Sequence, residues 1–208
     1  MANDHPVVYV IDDDPSVREA IDSLLRSVTL HTRLYASARE FLAAERPEVP
    51  GCIVLDVRLP EQSGLDFQRE LTALDIRLPV IFITGHGDIP MSSRAFRAGA
   101  IEFLAKPFRD QELLDAVMVG IEKDRARLEK AQSAAELQKR FASLTARERE
   151  VMHHIASGKP NKQIAAALRL SEVTVKVHRG NVMRKMRANS LADLVRMADE
   201  ISAVNERS

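Results

Sequence analysis

The chain has 208 residues, 45% hydrophobic and 29% charged, with 30 basic and 30 acidic side chains, a globular composition with room for two small domains. No apolar run is long enough to span a bilayer, and the N-terminus lacks the basic-then-apolar layout of a signal peptide, so a cytoplasmic location with no membrane partner is expected. A single cysteine, Cys52, excludes an internal disulfide framework and a cysteine-based zinc site.

The zero net charge hides an asymmetry. Residues 1–122 carry 12 Lys/Arg against 20 Asp/Glu, a net −8, whereas residues 123–143 are +3 and residues 144–208 are +5. An acidic front half joined to a basic back half points to different partners for each, a polyanion for the second. Ordinary compositional scatter is the plainer reading, and the charge alone does not defeat it.

In chain order, residues 1–118 alternate short apolar runs with longer amphipathic stretches. The runs are Val7–Asp12, Thr32–Ala36, Cys52–Asp56, Val80–Thr84 and Ile101–Leu104, and helical patterns fall at roughly 15–28, 37–44, 64–73, 89–98 and 109–122. Val7–Ile11, Cys52–Leu55 and Val80–Ile83 are apolar without alternation, as strands covered on both faces are. Five strand–helix repeats predict an α/β fold, a doubly wound five-stranded parallel sheet with helices on both sides.

Residues 119–143 contain no proline and no glycine after Gly120, which predicts a helix continuing from the fifth one. Leu114, Ile121, Leu128 and Ala135 recur at intervals of seven, but Asp124 and Gln138 are polar at the companion positions, so a solvated helical linker is expected rather than a coiled-coil seam. From Leu144 onward the pattern is helical throughout. Thr145 and Glu148 form a capping box that opens a helix ending near Gly158, Asn161–Leu168 is a second, and Ser171 or Glu172 opens a third running to about Met186. Ser190 caps a fourth, with Leu191, Leu194, Val195, Ala198 and Ile201 on one stripe. Four short helices with a tight turn between the second and third predict an all-α helix-turn-helix domain.

In an open parallel sheet, functional residues gather beyond the carboxyl ends of the strands. Asp12 and Asp13 follow the first run, Asp56 ends the third, Thr84 ends the fourth, and Lys106 follows the fifth, directly before Pro107. Three carboxylates at one rim repel one another, and a divalent cation neutralises them; carboxylate and water oxygens suit Mg²⁺. Phosphoryl transfer requires a nucleophile, a metal and donors for the equatorial oxygens, which Asp56, Mg²⁺, the Thr84 hydroxyl and the Lys106 ammonium supply. Singly, each has a plainer reading: Asp12 to Asp14 as a solvated loop or helix cap before Pro15, Lys106 as a surface charge. Their joint placement at strand ends carries the functional one.

The motifs V-I-D-D-D, L-D-V-R-L-P-x-x-S-G, F-I-T-G-H-G-D and F-L-A-K-P-F, spread over residues 6–122, resemble those of bacterial two-component receiver domains, which have a flavodoxin-like fold. The resemblance implies that Asp56 accepts a phosphoryl group from a sensor histidine kinase. It implies Mg²⁺ ligation by Asp13, Asp56 and the backbone carbonyl of Arg58, with Asp12 acting through water, and a cis peptide before Pro107. Lys106 would meet the phosphate, and Thr84 with Phe103 would form a switch pair; Phe103 lacks the hydroxyl of the tyrosine often found there. Phosphorylation adds roughly −1.5 to −2 charges, which would move the face formed by the fourth helix, fifth strand and fifth helix and create a homodimer contact.

In the third C-terminal helix, Thr174, Lys176, His178, Arg179, Asn181, Arg184 and Lys185 supply a dense set of donors. Lys and Arg suit phosphates and guanine edges, Asn pairs with adenine, and Val177 suits a thymine methyl. Lys162 stands near the start of the preceding helix, where ammonium and helix dipole meet phosphate. The plainer alternative is a basic solvated helix in a packing domain. The runs L-T-A-R-E-R-E-V, G-K-P-N-K-Q-I-A and L-S-E-V-T-V-K-V-H, covering residues 141–203, resemble the LuxR-type helix-turn-helix, and with V-H-R-x-N-V-M they point to the FixJ subfamily of response regulators. By that resemblance Lys176 and Val177 face bases, Thr174 and Lys162 face phosphates, and Leu191–Ile201 forms a dimerisation helix. Gly180 stands where many relatives carry a base-contacting lysine, so that contact is not carried over.

The expected organisation is a receiver domain at 1–122, a helical linker at 123–140 and a LuxR-type DNA-binding domain at 141–208. The expected function is a phosphorylation-dependent regulator binding double-stranded promoter DNA, with RNA polymerase as a further partner and activation as the expected outcome. Turnover is limited to slow self-phosphorylation and self-dephosphorylation at Asp56. A haloacid-dehalogenase-like phosphatase is a rival, but Asp12-Asp13-Asp14 lacks the following glycine and threonine and the chain has no large cap. A receiver that is never phosphorylated is the other, and the complete pocket set argues against it.

Overall fold

The computed structural model describes residues 5–85 and 99–205. The helix expected at 89–98 and residues His86 to Asp88 of the motif F-I-T-G-H-G-D lie outside them. The chain divides into two compact units, Met1–Glu129 and Lys130–Ser208.

The first unit is built on five strands, β1 (Val7–Ile11), β2 (His31–Tyr35), β3 (Gly51–Asp56), β4 (Val80–Thr84) and β5 (Glu102–Ala105), all parallel, in the order β2-β1-β3-β4-β5. The reversal of order lies between β1 and β3, which places the ends of those two strands side by side. Helices α1 (Pro15–Ser27), α2 (Ala38–Ala43) and α3 (Gly64–Ala73) connect the strands, and α4 (Asp110–Ala142) follows β5. The expected bounds hold to within one residue for most elements; β5 is displaced one residue later.

The period-two geometry of strands divides the unbroken apolar runs into two cores. Tyr9, Ile11, Ile53, Leu55 and Phe82 point to one face and pack with Phe41 of α2 and Phe67 and Leu71 of α3. Val8, Val10, Val54, Ile81 and Ile83 point to the other and pack with Ile21 and Leu25 of α1 and Leu113, Val117 and Ile121 of α4. This is why β1, β3 and β4 read as continuous rather than alternating hydrophobic sequence. Only a glycine lets α4 come this close to β3, since a Cβ at Gly120 would lie 2.8 Å from that of Cys52.

The second unit contains α5 (Ala146–Ala156), α6 (Asn161–Leu168), α7 (Glu172–Met186) and α8 (Leu191–Asn205). The capping box forms as read: Thr145 Oγ1 accepts from Glu148 N–H while the Glu148 carboxylate accepts from Thr145 N–H. Ser171 caps α7 through Thr174 N–H. Between α6 and α7, Arg169 takes the left-handed conformation (φ 54°) that ends α6 and turns the chain within three residues. The core joins Val151, Ile155, Ile164, Val175, Val182 and Leu194 across all four helices.

Burial is uneven along the stretch expected as a solvated linker, 123–140. Asp124 is buried in the first unit, and Leu137, with Phe141 packed beside it, belongs to the core of the second. The fully exposed run is residues 129–133. The heptad positions do not form one seam: Ile121 faces the sheet while Ala135 is exposed.

Candidate functional site

At the carboxyl edge of the sheet, β1 delivers Asp12 and Asp13, β3 delivers Asp56, β4 delivers Thr84, and the turn after β5 delivers Lys106. The carboxylates of Asp12, Asp13 and Asp56 offer ligand atoms within 4.8 Å of one another. The Lys106 ammonium sits among them, donating to Asp12 Oδ2 at 2.6 Å and Asp56 Oδ2 at 3.1 Å. Asp12 is 0% exposed, Asp56 is buried and Asp13 is exposed, so the cluster opens to solvent on the Asp13 side. The Lys106–Pro107 peptide is cis, as expected.

Backbone groups complete the site. Asp12 Oδ1 accepts from Asp14 N–H at 2.9 Å, and Asp14 in turn caps α1 through Ser16 N–H. Arg18 reaches back from α1 to the Asp12 carbonyl at 2.5 Å, a contact at a spacing of six residues that no helix or strand periodicity signals. Asp56 Oδ1 accepts from Arg58 N–H at 3.1 Å. The loop after Asp56 folds back tightly because Gly64 lacks a Cβ; one there would stand 2.4 Å from the Asp56 carbonyl oxygen.

The electrostatics follow from this packing. Burial pushes the Asp12 carboxyl above its ordinary value, against the hydrogen bonds from Lys106 and Asp14 that pull it back. Burial alone would lower the Lys106 ammonium, but the hydrogen bonds to Asp12 and Asp56 outweigh it and hold the ammonium above the ordinary lysine value. One cation facing three carboxylates leaves the cluster net negative when all are ionised, with oxygen donors only. That donor set fits a hard divalent cation such as Mg²⁺.

Thr84 is fully buried at the end of β4. Phe103 is half-buried and packs on the core beside Phe82, ring centroids 6.4 Å apart. The two expected switch residues therefore stand on adjacent strands, with Thr84 paired in register to Ala105.

In the second unit, α7 buries Val175, Val182 and Met186 and turns Val173, Lys176, Val177, Gly180 and Arg184 to solvent. Lys162, the second residue of α6, is also exposed. Two arginines of this helix donate to neighbouring side chains. Arg179 donates to Asn161 Oδ1 at 2.9 Å, tying α7 to the start of α6, and Arg184 donates to Asn181 Oδ1 at 3.1 Å. His178 is half-buried. Lys185 pairs with the buried Glu148 at 2.6 Å, a contact from α7 to the beginning of α5.

The apolar stripe of α8 also divides. Leu194 is 0% exposed and Ala198, partly buried, packs on the same core; Leu191 is 47% exposed and Val195 is half-buried. Sequence periodicity marks a stripe without saying which neighbour covers it.

Comparison with known proteins gives a family match in each unit. The family described as response regulator receiver domain matches residues 8–118, and that described as bacterial regulatory proteins, luxR family, matches residues 142–198. Nodulation protein W of Bradyrhizobium diazoefficiens is 54% identical over 200 residues, covering 96% of this chain and 88% of that protein. The transcriptional regulatory protein FixJ of Azorhizobium caulinodans is 44% identical over 191 residues, covering 92% and 90%. The solved structure of the response regulator StyR has a TM-score of 0.86 at 47% identity, covering 94% of this chain and 99% of that one. Among the described residues no helix is long and apolar enough to cross a membrane. The chain belongs to the FixJ-like response regulators of two-component systems, regulators of transcription that join a receiver domain to a LuxR-type DNA-binding domain.

Proposed function

We propose that Asp56 is the phosphoacceptor and that its phosphorylation by a sensor histidine kinase controls binding of the second unit to promoter DNA. The observation that carries this is the Lys106 ammonium bridging Asp12 and Asp56 inside a three-carboxylate cluster. The Asp56 carboxylate attacks phosphorus, an aspartyl O–P bond forms, and the bond from phosphorus to the donor's leaving group breaks. Lys106 is placed to meet the incoming phosphoryl oxygens, and the Thr84 hydroxyl is the donor one strand over. Asp12, Asp13, Asp56 and the Arg58 carbonyl would hold Mg²⁺, which when bound neutralises charge developing on the phosphoryl group. Loss of the group to water returns the carboxylate, so slow self-phosphorylation and self-dephosphorylation are the extent of its turnover.

The buried state of Thr84 and the half-buried ring of Phe103 make them the pair that rearranges when a doubly charged group arrives. The rearranged face, β5 with the beginning of α4, is the proposed phosphorylation-dependent homodimer contact, and Leu191 and Val195 of α8 are the proposed contacts between DNA-binding domains. In the organisation we propose, residues 1–122 receive the signal, 123–140 connect and 141–208 read DNA. Lys162 and Thr174 contact phosphates, Lys176 and Val177 face bases, and RNA polymerase is the partner through which bound protein activates transcription, in the cytoplasm. Incubation with acetyl phosphate and Mg²⁺ followed by intact mass tests the first step. The chain should gain one phosphoryl group and Asp56→Asn none; an unmodified wild type would refute it.

A further inference from the structure

We propose that Val173, one turn before Val177 on α7, is a sequence-reading residue, and that the two valines together select thymine by contact with its 5-methyl group. This rests on the proposed DNA-binding role of the second unit.

Val173 is 74% exposed and Val177 59%, the two most exposed large hydrophobic side chains in the described residues. Neither contributes to the core of the domain, which α7 meets with Val175, Val182 and Met186. Two β-branched side chains left in water on an otherwise polar helix carry an unfavourable hydration that contact with an apolar surface would relieve. Val173, Lys176, Val177 and Gly180 follow the i, i+3, i+4, i+7 spacing of a single helix face, with Arg184 one further turn along. A Cβ at Gly180 would meet nothing within 4 Å, so the face recedes there and the valines project beyond it.

The partner this face fits is the major-groove edge of DNA. In a helix-turn-helix the beginning of the second helix meets base edges, and Val173 is the second residue of α7. Lys162, Lys176 and Arg184 supply positive charge around the apolar pair, complementary to phosphate and to guanine. Arg179 and Asn181 are half-buried and Arg179 donates to Asn161, so the fully exposed stripe is the part of the helix open to sequence. Thymine presents in that groove the one apolar group of any base, its 5-methyl. Val173 and Val177 are separated by about 6 Å along the helix axis, against about 3.4 Å per base step, so they meet methyl groups about two steps apart with Lys176 between them.

The test uses the full chain treated with acetyl phosphate and Mg²⁺. A duplex is selected from a random pool, and each thymine of the enriched site is then replaced singly by deoxyuridine, which removes only the methyl group. Two replacements should each weaken wild-type binding about fourfold. Val173→Ala should abolish sensitivity at one of them and Val177→Ala at the other, with sensitivity elsewhere unchanged; both side chains are exposed, so neither variant disturbs the core. Indifference of the wild type to every thymine replacement, or a Val173→Ala protein that keeps both sensitivities, would overturn the inference while leaving DNA binding intact. Failure to enrich any site would overturn the proposed DNA-reading role and this inference with it.

Discussion

Lys106 occupies an electrostatic position that decides how the receiver pocket behaves before any phosphoryl group arrives. Its ammonium holds two buried or nearly buried carboxylates, Asp12 and Asp56, at hydrogen-bond distance, a place a divalent cation would also stabilise. Lys106→Ala removes one positive charge from the cluster and leaves Asp12 buried without its strongest partner. The variant should lose about 1–3 kcal/mol of stability in metal-free buffer and recover much of it with Mg²⁺, which it should bind more tightly than the wild type. Thermal unfolding with and without Mg²⁺ checks both, and a Mg²⁺ response equal to that of the wild type would contradict the arrangement. These pocket residues were legible in the sequence because each sits at a strand end, where the fold class alone concentrates function. Arg18 was not, since its hydrogen bond to the Asp12 carbonyl depends on how α1 packs. The donor pattern of the helix does not mark Val173, although its spacing to Lys176, Val177 and Gly180 puts it on their face.

At the level of elements, buried charges fix helices in place. Asp124 of α4 is only 1% exposed; its Oδ2 accepts from Gly51 N–H at the beginning of β3 (3.0 Å) and its Oδ1 from Arg127 Nε (2.7 Å). Asp124→Ala leaves that strand N–H without its partner and should destabilise the first unit by about 2–3 kcal/mol; hydrogen exchange at Gly51 should rise with it. In the sequence Asp124 counted only as a polar residue spoiling a heptad, because its partner is a backbone group 73 positions away. Glu148 was legible as half of a capping box, but not as the partner of Lys185 across α5 and α7. The Lys185 hydrogen bond, with those from Thr145, holds the Glu148 carboxyl below its ordinary value against the opposing effect of burial. Because the folded value is depressed, the stabilisation is present above the ordinary glutamate range and is lost as pH falls through the folded value. Acid unfolding of the second unit should therefore be steeper in the wild type than in Lys185→Ala. The variant should also be less stable at neutral pH by about 1–3 kcal/mol.

For the whole molecule, the charge asymmetry of the sequence finds its counterpart in two compact units with different chemistry, an acidic pocket in the first and an outward basic helix face in the second. Fold class was readable because apolar runs without alternation demand a sheet covered on both faces, and because capping signals mark each C-terminal helix. The uneven burial within the connecting helix was not readable: composition gives helix, while burial of Asp124 and Leu137 and full exposure of residues 129–133 are decided by packing. The central claim joins the two units, with phosphorylation at Asp56 controlling DNA binding by α7. The most direct test is the affinity of the full chain for a selected DNA site, measured with and without acetyl phosphate and Mg²⁺, for the wild type and for Asp56→Asn. The wild type should bind severalfold more tightly after treatment and Asp56→Asn should not respond. Equal wild-type affinity under both conditions, or an equal response from Asp56→Asn, would contradict the account.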